Sequence, residues 1–157
     1  MDLKVKEATT SPELSDLIRL LNENTHYEHD CSREVYINHV VKNMYKTDNH
    51  RVSLLYVGDK AVGYIIVRFD NFIMKEFVVV DIYIGKAHQG NNYIDLLVND
   101  IIPIAFKVGA LRIKWQSGIF DTDFWDTHSF GVATESYKIF YVGLTDAAQE
   151  TYDEVSK

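Results

Sequence analysis

A chain of 157 residues, 46% hydrophobic and 25% charged, is one domain's worth of ordinary globular sequence, which excludes disordered, collagenous and low-complexity classes. A net charge of −7, from 16 basic and 23 acidic residues, argues against nucleic-acid or anionic-membrane partners. One cysteine, Cys31, excludes an internal disulfide. The polar start Met1-Asp2-Leu3-Lys4 lacks an apolar export segment, and no apolar run approaches the roughly 20 residues that span a bilayer. The expectation is a cytoplasmic, single-domain protein.

Leu3 to Ala8 alternates weakly and reads as a short strand. Thr10-Ser11-Pro12-Glu13 announces a helix through a hydroxyl cap, an early proline and an early acid. Leu14, Leu17, Ile18 and Leu21 then give it one apolar face. After a polar connection from Asn22 to Asp30, a second helix starts near Ser32, with Val35, Tyr36, Val40, Val41 and Met44 expected on its buried side. Val52–Val57 and Ala61–Phe69 read as a hairpin around Gly58-Asp59-Lys60. Glu76 to Ile84 is a third, apolar strand in this middle region, expected to be covered on both faces.

Gly85 to Asn92 is a polar loop. Ile94, Leu97, Val98, Ile101, Ala105 and Val108 mark a third helix ending at Gly109. Pro103 inside it predicts a kink or break, since an interior proline costs about 3 kcal/mol. Leu111–Gln116 is a strand, Thr122–His128 a short helical turn, Thr134–Val142 a last strand, and the end of the chain from Thr145 is polar. The fold class is α+β: a mixed central sheet with flanking helices in one domain over residues 1–144, followed by a polar tail over 145–157.

Three segments in this order resemble the GNAT N-acetyltransferase superfamily. Val57-Gly58-Asp59-Lys60-Ala61-Val62-Gly63-Tyr64-Ile65 is similar to its second hairpin. Asp81 to Ile94, with Gln89 and Gly90 opening the loop, is similar to its acyl-CoA motif. Phe124-Trp125-Asp126-Thr127-His128-Ser129-Phe130, followed by Gly131-Val132, is similar to its late helix-turn-strand element. The resemblance implies acetyl-CoA as cosubstrate, with Ile82, Ile84, Gly85, His88, Gln89, Gly90, Asn91 and Asn92 at the cofactor site.

Physical reasons support those assignments. A strand splayed from its neighbour pairs with a pantetheine arm as with another strand. Loop N–H groups and the positive end of the following helix suit a pyrophosphate. Asn92 stands where the family usually has a second glycine; asparagine tolerates positive φ, which keeps the loop's shape. Ile94 replaces a usual small residue and is expected to crowd the loop. The usual arginine is absent, leaving Lys86 and His88 as the nearby side-chain cations. The competing account is a plain strand-loop-helix junction.

Acetyl transfer to an amine needs a base, an oxyanion donor and an acid for the leaving thiolate. Strict period 2 puts Glu76, Val78, Val80 and Ile82 on one face, so Glu76 is the candidate base, acting through water; an exposed acid at a strand end is the plainer account. Trp125 aligns with the family's usual acidic tyrosine and cannot donate a proton at neutral pH. Tyr137 is the candidate acid, with Tyr141 behind it and strand packing as the alternative. A backbone N–H near Ile84 is the candidate oxyanion donor.

His26-Tyr27-Glu28-His29-Asp30-Cys31 reads as a solvated loop, an acceptor-recognition segment or, with no second Cys/His pair, a weak metal site. No metal is assigned. The resemblance puts this connection on the acceptor side, and with it Tyr27, His29 and Trp125. Phe120, Phe124, Trp125 and Phe130, interleaved with Asp121, Asp123 and Asp126, are either core or a patch for a cationic acceptor or protein partner.

The first reading is therefore acetyl transfer from acetyl-CoA to a small-molecule amine or protein acceptor. The alternative is a catalytically degenerate GNAT-fold binding or structural protein. The resemblance implies that such members occur among phage-encoded, sometimes particle-associated proteins, and leaves a homo-oligomer or larger protein assembly open. A toxin-like or regulatory acetyltransferase acting on a macromolecule is a third. Charge is one-sided: residues 1–117 hold 14 basic and 15 acidic side chains, residues 118–157 hold 2 and 8.

Overall fold

Thr10 begins the first helix as the sequence predicts. Its hydroxyl accepts from the Glu13 N–H, and the Glu13 carboxylate accepts from the Thr10 N–H at 2.9 Å, closing a capping box with Pro12 in the first turn. The computed structural model describes residues 2–24, 32–70, 75–116 and 137–141. The elements are β1 (Leu3–Glu7), α1 (Ser11–Glu23), α2 (Arg33–Asn43), β2 (His50–Val57), β3 (Lys60–Asp70), β4 (Glu76–Ile84), a 3-10 turn (Lys86–His88), α3 (Tyr93–Lys107), β5 (Arg112–Gln116) and β6 (Tyr137–Tyr141). The predicted turn at 122–128, the polar tail and the segment 26–31 lie outside the described residues.

Among the described residues the strands form one six-stranded sheet in the order β1-β2-β3-β4-β5-β6. Every neighbouring pair is antiparallel except β4 and β5. That parallel pair requires a crossover, which α3 supplies. One face of the sheet packs Leu55, Ile65, Val79, Ile82 and Ile84 against Leu97, Val98 and Ile101 of α3. The other packs Leu54, Tyr64, Ile66 and Tyr83 against Leu17 and Leu21 of α1 and Tyr36 and Val40 of α2. Coverage of β4 on both sides explains its near-continuous apolar sequence.

Two helix expectations change. On α2 the buried stripe is Tyr36, Val40 and Met44, while Val35 is 55% exposed. Residue 35 lies about 100° around the helix from Tyr36, outside a stripe built on i, i+4 spacing. α3 runs unbroken through Pro103 from Tyr93 to Lys107. Ile101, Ile102 and Ala105 are buried on either side of the proline, and their packing holds the helix together despite the lost hydrogen bond. Gly109, at φ +81°, ends the helical segment where the sequence puts its stop.

Candidate functional site

β4 contains one residue more than its partner. Ile66 faces Asp81 and Val67 faces Val79, so Val80 is a bulge. Two consequences follow. The first is at the edge toward β5: the parallel pairing runs from Glu76/Arg112 to Val79/Trp115 and ends there. Beyond it, among the described residues, Val80–Ile84 has no strand partner on that edge. The sequence reading places the acyl-CoA site on this stretch, at Ile82 and Ile84.

The second consequence is that side chains beyond Val80 exchange faces. Ile82 and Ile84 join the α3 side. Asp81 takes the α1/α2 side, directly after Val80, which packs there too. Strict alternation misses this. Asp81 is buried, and its Oδ2 accepts from the Tyr36 hydroxyl at 2.6 Å and the Tyr64 hydroxyl at 2.7 Å. Asn24 donates to the Tyr64 oxygen at 3.0 Å. Burial, then the Asp81 charge, pushes the Tyr64 hydroxyl well above its ordinary value, so it remains a proton-holding donor.

Glu76 does not join this group. It lies at the opposite end of β4, about 17 Å along the strand from Asp81 at a strand's rise per residue. Nor is it an exposed acid. Its carboxylate is buried, with Arg112 at 2.7 Å and Lys114 at 3.6 Å, and it pins β4 to β5 where the two strands are still paired. A carboxylate engaged by two cations is a structural tie.

The loop after β4 is held by hydrogen bonds within itself and to β3. Gly85 donates its N–H to Val62 O at 2.8 Å, and the His88 N–H returns to Gly85 O at 2.9 Å. The Gln89 amide donates to Ile84 O at 2.9 Å, and the Asn91 amide to His88 O at 3.2 Å. Gly90 (φ +88°) and Asn92 (φ +59°) both take left-handed backbone, the latter as the N-cap of α3 without a side-chain cap bond. The first N–H groups of a helix lack the usual intrahelical partner; of those in α3, the Asp95 N–H turns back to Asn92 O at 3.2 Å. Ile94 is half-buried and packs against the core on the α3 side of the sheet.

Gly63 brings β3 close to this end of β4. A Cβ there would lie 2.8 Å from Tyr83 O and 2.6 Å from Ile84 Cδ1. His88 stacks near Tyr93, with ring centroids 6.3 Å apart. Tyr137 begins β6 and pairs with Gln116 at the end of β5, on the side where β5 and β4 part. Tyr27, His29 and Trp125 lie outside the described residues. Among the described residues, no three His, Cys, Asp or Glu side chains are grouped to hold a metal ion, and no helix is long and apolar enough to cross a membrane.

A profile of the acetyltransferase (GNAT) family matches residues 14–131. Solved structures share the fold at low identity. The ribosomal-protein-S18-alanine N-acetyltransferase from Escherichia coli is 11% identical, with a TM-score of 0.64 over 88% of this chain and 91% of that one. The PaiA N-acetyltransferase from Thermoplasma acidophilum, in complex with coenzyme A, is 13% identical, with a TM-score of 0.61 over 88% and 98%. A chimera of the spermidine N-acetyltransferase SpeG from Vibrio cholerae and hSSAT is 15% identical, with a TM-score of 0.63 over 97% and 98%. No curated protein matches by sequence.

Proposed function

Because the chain belongs to the GNAT acetyltransferase family, we propose that it transfers an acetyl group from acetyl-CoA to an amine, using the opening between β4 and β5 and the loop from Gly85 to Asn92. One observation supports this above the others: the parallel pairing ends at Val79/Trp115, one residue before the bulge. A pantetheine arm there gains the backbone partners that β5 no longer supplies. The pyrophosphate then meets the loop N–H groups around Gly90–Asn92 and the start of α3.

In the proposed chemistry the amine nitrogen attacks the thioester carbonyl carbon. A backbone N–H near Ile84 stabilises the developing oxyanion. Asp81 accepts the proton lost from the amine, directly or through one water. The C–S bond breaks, and the thiolate takes a proton from Tyr137. Tyr36 and Tyr64 orient the Asp81 carboxylate.

The acceptor class is a primary amine on a small molecule or a protein. The excess acidity of residues 118–157, 2 basic against 8 acidic side chains, favours an acceptor that carries positive charge. Tyr27, His29 and Trp125 are the acceptor-side candidates.

Calorimetric titration with acetyl-CoA tests the cofactor half. The wild-type protein binds, and Gly90→Glu, which adds a carboxylate beside the proposed pyrophosphate, abolishes binding while circular dichroism stays that of a folded protein. The glycine's positive φ adds about 1 kcal/mol of backbone strain to any replacement, so the fold check matters. No heat with the wild-type protein would sink the proposal. Undiminished binding by Gly90→Glu would move the site elsewhere.

A further inference from the structure

Glu23, the last residue of α1, reaches across to the start of the cofactor loop. Its Oε1 accepts from the Tyr83 hydroxyl at 3.2 Å and from the Lys86 backbone N–H at 3.3 Å. Its Oε2 lies 3.9 Å from the Arg19 guanidinium, which itself donates to Ala61 O at 2.7 Å. The fit is tight at Gly85, where a Cβ would stand 2.9 Å from Glu23 Oε1 and 3.3 Å from Val62 O. Burial first, and the Glu23 charge and hydrogen bond second, push the Tyr83 hydroxyl up to about 12. Tyr83 therefore remains a donor across the neutral range.

A carboxylate beside a loop that receives an anion lowers that loop's anion affinity through repulsion. Glu23 also accepts from the Lys86 N–H of the loop, so this group is occupied before any phosphate arrives. What it contributes instead is position: α1 and β3 are rigid elements, and Glu23 fastens the loop to both, through its own backbone and through Arg19. The N–H groups after Gly90 are left to face the ligand from a fixed starting point.

We propose that Glu23 is a positioning residue for the cofactor loop, fixing the Gly85–Lys86 end so that the later N–H groups are aligned with the CoA pyrophosphate. The inference rests on the acyl-CoA reading above. It also separates two parts of the ligand, because in that reading the acyl-pantetheine arm pairs with the β4 backbone, which Glu23 touches only through the Tyr83 side chain.

The test compares acetyl-CoA with acetyl-pantetheine, which lacks the pyrophosphate, by calorimetry or competitive displacement. Glu23→Ala binds acetyl-CoA about ten-fold more weakly, the size of one lost charge-assisted hydrogen bond, and acetyl-pantetheine as the wild type does. Glu23→Gln retains an acceptor oxygen for Tyr83 and Lys86 and restores acetyl-CoA affinity to within about three-fold. Gly85→Ala, which presses a methyl against Oε1, weakens acetyl-CoA binding in the wild-type background and much less beside Glu23→Ala. Unchanged acetyl-CoA affinity in Glu23→Ala, or an equal loss for both ligands, overturns the proposal and leaves the acyl-CoA reading intact. Failure of the unmodified protein to bind either ligand overturns both.

Discussion

Asp81 receives two phenolic hydroxyls on one carboxylate oxygen, and two substitutions separate its chemistry from its packing. Asp81→Asn keeps an oxygen for Tyr36 and Tyr64 but cannot take a proton from the amine. Thiol release from acetyl-CoA with a panel of primary amines should fall by about 10²-fold or more, with thermal unfolding close to wild type. Asp81→Ala leaves both hydroxyls without their acceptor and should cost about 1–3 kcal/mol in urea unfolding. An Asn variant as fast as the wild type would remove Asp81 from the role of base. The sequence contained the signal: a charged residue inside the apolar run from Phe77 to Ile84, in a strand expected to be covered on both faces. Period 2 hid its direction, because the bulge that turns Asp81 toward α1 and α2 is set by pairing with β3, not by β4's own residues.

At the level of elements, local features were legible and pairing was not. The cap of α1 is written in four consecutive residues, Thr10 to Glu13, and forms as read. Burial alone would push the Glu13 carboxyl up. The Thr9 N–H, the Thr10 hydroxyl, Lys6 and the Thr10 N–H outweigh it and bring the group from 4.5 down to about 2. A lowered folded-state value stabilises fully above the unfolded value and is lost as pH falls through the folded one. The unfolding free energy should therefore drop between pH 4.5 and 2, and Glu13→Gln should flatten that limb at a cost of about 1–2 kcal/mol near neutrality. An acid limb identical in Glu13→Gln would contradict this. The proposed groove beside β4 starts next to the Val80 bulge, which no local residue preference announces. Deleting Val80 restores regular alternation and keeps Asp81 opposite Ile66. Such a variant should fold, pair β4 with β5 further along, and lose acetyl-CoA binding. Retained binding would show that the bulge does not make the groove.

For the whole molecule, the element order alone indicated the layered α+β fold, because hydrophobic period changes cleanly from helix to strand and back. The shape of the loop after β4 was legible because Gln89, Gly90 and Asn92 are residue types whose backbone or amide requirements can be read without neighbours. Glu23 and Glu76 were not legible in their actual roles. The first acts on Tyr83 and Lys86, 60 and 63 positions further along the chain, and the second is defined by Arg112 and Lys114. Both roles exist only once the sheet is assembled. The central claim, that acyl-CoA enters between β4 and β5, is tested most directly by backbone hydrogen exchange with and without acetyl-CoA. The account predicts added protection confined to Val80–Ile84 and the loop from Gly85 to Tyr93, with β1 and β2 unchanged. Protection that appears elsewhere and spares Val80–Tyr93 would contradict it.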